Sequence, residues 1–92
     1  MGILAYKRTV LVAGAVTPIT PPRCARKVVI GNATNDDVRI MGDPNDTGNF
    51  ATIAAGFERT LSVGDGTSYF APELTAFYLN ALSGGTVVLE WM

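Results

Sequence analysis

The feature that most constrains this chain is its rhythm of short β-type runs, each closed by turn residues. Lys27-Val28-Val29-Ile30-Gly31-Asn32 reads as a strand with Val28 and Ile30 on one face. Asn35, Asp36 and Asp37 follow as turn material, because short polar side chains bond their own backbone there. Val38 and Ile40 then alternate with Arg39, the pattern of a half-buried strand. Residues 42–49 form a loop by every local signal, and residues 50–54 lead into a turn at Ala55-Gly56. Residues 57–63 place Phe57, Leu61 and Val63 on one face, interrupted by Arg59, and residues 64–68 turn the chain again. Residues 75–82 and 86–92 flank Ser83-Gly84-Gly85, which is a hairpin signal. A helix competes only over residues 70–82, where Thr75, Phe77 and Tyr78 favour strand and Pro72 shortens the window. The expected fold is all-β: a small antiparallel β-sandwich or barrel of Greek-key or jelly-roll type.

The N-terminal quarter reads differently. Thr17-Pro18-Ile19-Thr20-Pro21-Pro22 favours an extended, polyproline-like path, and proline there is expected to block sheet pairing. Residues 6–13 ahead of it have strand composition. Two parts follow: an extended N-terminal arm and linker over residues 1–22, and a β-sandwich domain over residues 23–92. Two readings of the arm stay open, an edge strand of the same sandwich or a strand donated to a neighbouring subunit.

Composition narrows the chemistry. With 92 residues the chain is one domain's length, and its 48% hydrophobic and 16% charged residues depart from the ~25% charge of an average soluble domain. So little charge on so small a chain suggests surface buried against other chains. The net charge of −1 gives no attraction for phosphate backbones, so nucleic acid is not expected as a partner. No run approaches the ~20 apolar residues of a membrane span, and residues 1–6 are too short for a signal peptide's apolar region. No membrane partner is expected.

The sequence has no histidine, which removes the usual general base and the commonest transition-metal ligand. Cys24 stands alone, without a disulfide partner or an activating base. Asp43-Pro44-Asn45-Asp46-Thr47-Gly48 has the opening of a calcium loop, but Ala54 occupies the place of its twelfth-position glutamate. Asp36-Asp37 and Asp43/Asp46 lie in turn sequence, where local backbone bonding accounts for them. No catalytic residue, metal site or cofactor is expected, and the chain is expected not to be an enzyme.

The aromatic residues divide by face. Phe77 and Trp91 share faces with Leu79 and Leu89 and are expected in the core, whereas Tyr78 opposes Phe77 and Tyr6 opposes Lys7. Tyr6, Val10, Val12, Arg59 and Tyr78 are the candidate interface residues: outward aromatics, arm residues, and a charge breaking an apolar face.

The order Val28-Val29-Ile30-Gly31-Asn32, Val38-Arg39-Ile40-Met41-Gly42, Ile53-Ala54-Ala55-Gly56, Arg59-Thr60-Leu61-Ser62-Val63, Tyr78-Leu79 and Gly85-Thr86-Val87-Val88-Leu89-Glu90 resembles small bacteriophage capsid decoration or cement proteins. Those are virion accessory β-sandwiches, and the resemblance covers about two thirds of the chain. It implies a structural virion protein, made in the host cytoplasm, that binds the assembled capsid and reinforces it. The implied partners are the major capsid protein or another virion protein, with further copies of the chain in a homo-oligomer, a trimer being favoured. The alternative is a carbohydrate- or receptor-binding module of a phage tail or fibre, which needs an exposed aromatic platform.

Overall fold

A β-strand is half-satisfied until its backbone finds partners on both sides, so the pairing pattern decides which segments belong together. The computed structural model describes residues 5–23, 25–42, 45, 49–62 and 76–92. Its strands, in chain order, are β1 (Ala5–Leu11), β2 (Thr17–Ile19), β3 (Lys27–Asn32), β4 (Val38–Met41), β5 (Asn49–Ile53), β6 (Glu58–Ser62), β7 (Phe77–Ala81) and β8 (Gly85–Trp91). They form two four-stranded antiparallel sheets, ordered β1-β8-β3-β6 and β2-β7-β4-β5. First pairs with last, second with seventh, third with sixth and fourth with fifth. The chain is thus one long hairpin, β4–β5 at its tip, rolled so that successive strands alternate between the sheets. That is the jelly-roll arrangement of a β-sandwich.

The alternation read from the sequence sets which side chains enter the space between the sheets. Val28 and Ile30 of β3, Val38 and Ile40 of β4, Phe77 and Leu79 of β7, and Val87, Leu89 and Trp91 of β8 are all buried. The Phe77 and Trp91 rings, at the start of β7 and the end of β8, meet at a centroid distance of 6.0 Å, tilted by 46°, and join the two sheets. Leu11, Ile19, Ala25, Ile53 and Leu61 complete the core. Each large side chain so buried contributes roughly 1.5–3 kcal/mol relative to exposure.

The N-terminal segment enters both sheets. β1 pairs with β8 in unbroken register from Ala5↔Trp91 to Leu11↔Gly85, and β2 pairs with β7. Of the two readings, the structure therefore has the edge strand within the same chain, and Leu11 and Ile19 bury their side chains on the far side of the boundary drawn at Pro22. Proline does not block pairing here. Pro18 stands opposite Tyr78 in a three-residue strand at the sheet's edge, where a missing N–H is harmless.

Two further expectations are corrected. Ser83-Gly84-Gly85 is not a hairpin turn, because β7 and β8 belong to different sheets. Gly84 (φ 68°) and Gly85 (φ 122°) turn the chain across a corner, and a Cβ at Gly84 would stand 2.6 Å from the Leu11 carbonyl oxygen. Close packing of the β1–β2 loop against this corner requires glycine. Phe57 is not in the core but 68% exposed, since it lies in the turn closed by its N–H to the Ala54 carbonyl, at the start of an edge strand. Cys24, Val63, Pro72, the turn at 64–68 and most of the Asp43 loop lie outside the described residues.

The inward register of β8 yields a direct comparison. Leu89→Ala removes a buried side chain and should cost roughly 2–5 kcal/mol. Glu90→Ala, on the outer face, should cost about 0.5 kcal/mol or less. Urea denaturation of the two variants checks this, and equal losses would contradict the register.

Candidate functional site

The outer faces of the sheets follow from the same registers, because residues directly opposite on neighbouring antiparallel strands share a face. On the β1-β8-β3-β6 sheet one outer row runs Arg8, Val88, Gly31, Glu58, and the next runs Tyr6, Glu90, Val29, Thr60. Val88, Gly31 and Val29 on the inner strands lie among the charges of Arg8, Glu58 and Glu90. Gly31 leaves a shallow depression of about 320 Å³, lined also by Val88, Phe57 and Glu58.

The five candidate interface residues do not form one site. Tyr6 and Val10 lie on the outer face of β1, with Val12 just past its end, and all three are exposed, at 56%, 72% and 66%. These three the structure does bring together, along a strand that among the described residues is the edge of its sheet. Arg59 is exposed on β6, the opposite edge of the same sheet, three strand spacings or about 14 Å away. Edge position explains why a charge interrupts that apolar face, since it reaches water without crossing the core. Tyr78 belongs to the other sheet, half-buried on its outer face beside Met41 and Pro18.

Periodicity missed a second feature. The outer face of the β2-β7-β4-β5 sheet carries a cleft of about 260 Å³ lined by Asp36, Asp37, Arg39, Thr52, Asn80 and Leu82. The Asn80 Oδ1 atom is buried there without a hydrogen-bond donor, and Leu82 beside it is 79% exposed. Asp36 is largely committed to the fold: its carboxylate accepts from the Asp37 N–H at 2.9 Å and from the Ser83 hydroxyl at 3.2 Å. Among the described residues, no three His, Cys, Asp or Glu side chains converge as a metal site would require.

The corner between β3 and β4 sets the position of both the depression and the cleft. Asn32, 3% exposed, donates from Nδ2 to the Asp36 and Ile53 carbonyls at 2.7 and 2.8 Å. Its Oδ1 accepts from the Thr34 N–H at 2.9 Å and the Thr34 hydroxyl at 2.6 Å. All four bonds available to a side-chain amide are made. A sequence reading takes Asn32 for the last residue of a strand; the hint of more was its place two residues before Thr34 and four before Asp36, a spacing suited to local side-chain–backbone bonding.

Comparison with protein-family models, with curated proteins and with solved structures finds no match to this chain. The fold defines the class: a small β-sandwich whose described residues form eight strands in jelly-roll order.

Loss of the Asn32 amide should be felt across the whole domain. Asn32→Ala removes the amide donor to the Asp36 and Ile53 carbonyls and the acceptor of the Thr34 N–H, leaving Asp36 only its bond from the Thr34 hydroxyl at 2.8 Å, and should cost about 3 kcal/mol or more. Asn32→Asp should cost at least as much, since a carboxylate cannot donate to those carbonyls. Chemical denaturation with an unchanged m-value checks both.

Proposed function

We propose that this chain is a structural virion protein that binds an assembled capsid and reinforces it, acting through surface contact and not through catalysis. The observation that carries the reading is the line of exposed apolar side chains Tyr6, Val10 and Val12 along a strand that is an edge among the described residues, on a domain with so little charge. Apolar and aromatic residues outside a folded core mark surfaces that associate. A free strand edge with side chains on a flat outer face suits docking between larger subunits, by strand addition or by gap filling. A protein that binds only the assembled shell stabilises it by mass action. The resemblance to phage decoration proteins points to the same role, with the major capsid protein or another virion protein as partner. Co-sedimentation with expanded tailed-phage heads stripped of accessory proteins tests it. The chain should pellet with heads and remain in solution with unassembled capsid protein, and Tyr6→Ser/Val10→Ser should weaken pelleting while leaving the fold intact. Absence of binding to any assembled head would refute the reading.

A second reading rests on the Asn80 cleft. Among the described residues no aromatic lines this cleft, so it is not the stacking platform that the alternative calls for; an unpaired amide oxygen and an exposed leucine beside aspartate and threonine suit a ligand that presents hydroxyl donors. On that reading the chain is a carbohydrate-binding module of a phage tail or fibre. A glycan array separates the two: signal lost in Asn80→Ala favours the module, and a blank array leaves it without support.

A further inference from the structure

The core side of a sandwich strand ordinarily carries apolar residues, and β1 departs from that in its middle. Register places Lys7 opposite Leu89 and Thr9 opposite Val87, and both β8 residues are buried. Lys7 and Thr9 therefore lie on the side of β1 that faces the space between the sheets, between Ala5 and the buried Leu11. β2 repeats the pattern from the other sheet. Thr17 stands opposite buried Leu79, again on the core side, and Thr20 follows the strand. Among the described residues β1 and β2 are the edges of their sheets, so these polar groups gather where the sandwich is open at its side. They line one groove of about 320 Å³, with Leu89 and Trp91 as its apolar floor.

An inward charge on an edge strand is by itself a guard against strand addition. Arg59, opposite Ile30 on β6, is placed in that way at the other edge of the sheet. A guard does not need three hydroxyls from both layers beside it. Among the described residues no carboxylate lines the groove and Lys7 is the one charged residue that does, so the groove carries a single positive charge.

We propose that this groove binds a hydroxylated carboxylate of monosaccharide size, a sugar acid such as a hexuronate. The ligand's carboxylate meets the Lys7 ammonium in a charge-assisted hydrogen bond. Thr9, Thr17 and Thr20 each offer a hydroxyl that both donates and accepts, which matches the ligand's own hydroxyls. Leu89 and Trp91 take the carbon side of its ring. One ammonium without a second cation suits a monoanion, and not a phosphate group of charge near −2. The volume falls at the lower end of the ~300–1,000 Å³ usual for small-ligand sites. Tyr6 and Val10 lie on the opposite side of β1, and Asn80 lies on the outer face of the other sheet, so the inference rests on neither reading given above.

Titration of the isotope-labelled full chain with glucuronate, followed by NMR, tests it. Saturable shifts should fall on Lys7, Thr9, Thr17, Thr20 and the Trp91 indole. Glucose, which has the ring hydroxyls without the charge, should bind roughly tenfold or more weakly. Lys7→Met should weaken glucuronate binding by about tenfold or more, since a hydrogen bond to a charged group is lost. Lys27→Met, which alters an exposed lysine on β3, should leave binding unchanged. Should Lys7→Met aggregate for want of its edge charge, Thr9→Val keeps that charge and the side chain's shape, and should weaken binding about threefold or more. Absence of saturable shifts, shifts confined to other surfaces, equal binding of glucose, or unaltered affinity in the groove variant would overturn the proposal and leave Lys7 an edge guard.

Discussion

The four hydrogen bonds of the Asn32 amide hold the corner on which the two sheets depend. Every connection of this chain except β4–β5 passes from one sheet to the other, and each passage takes backbone out of its ladder. At the end of β3 a buried amide replaces the missing ladder, tying the Thr34 N–H, the Asp36 carbonyl and the Ile53 carbonyl into one network. Ile53 belongs to the sheet opposite β3, so the network joins the layers as well as closing a turn. Gly85 fits against the same corner, where a Cβ would stand 3.0 Å from the Thr34 side chain. A fully satisfied polar group at such a point specifies one arrangement, since any alternative strands several buried donors and acceptors.

From this corner the rest of the architecture follows. With β3 crossing to β4, β8 lies between β1 and β3, and β7 lies between β2 and β4. Two of the four inner strands, β7 and β8, come from the C-terminal part of the chain, and the edge strands beside them, β2 and β1, come from the N-terminal part. The sandwich therefore forms by long-range pairing, in which Leu11, Ile19, Phe77 and Trp91 meet from opposite ends of the sequence. Pairing the two ends leaves β1 and β2 together at one side of the molecule. Among the described residues β1 is thus a long strand paired on one side only, with Tyr6 and Val10 on its outer face.

The surfaces differ in chemistry for the same topological reason. The sheet containing β1 has an outer face on which Val88, Gly31 and Val29 lie among Arg8, Glu58 and Glu90. The other sheet presents Asn80, Thr52 and the Asp36 turn in a cleft suited to a polar group. A jelly-roll frame supports either kind of recognition, because function is set by the groups placed on a fold and not by the fold itself.

Much of this was legible in the sequence. Alternation identified the strands and their inward residues, because a side-chain period of two is a local property of an extended backbone. It placed Val28, Ile30, Val38, Ile40, Phe77, Leu89 and Trp91 inside, and Tyr6 and Tyr78 on outer faces. What it did not determine was partnership. Ser83-Gly84-Gly85 has the chemistry of a tight turn whether the strands beside it pair or part. Pro18 forbids a donor but not an edge position, and Phe57 falls in the turn before β6 and not within the strand. Asn32 looks like any strand-terminal asparagine until Ile53 is brought to it from the other sheet. Local sequence thus settled which residues are strands and which way they face. Only the tertiary structure decided which strands lie together, because that depends on hydrogen bonds and packing between residues far apart in the chain.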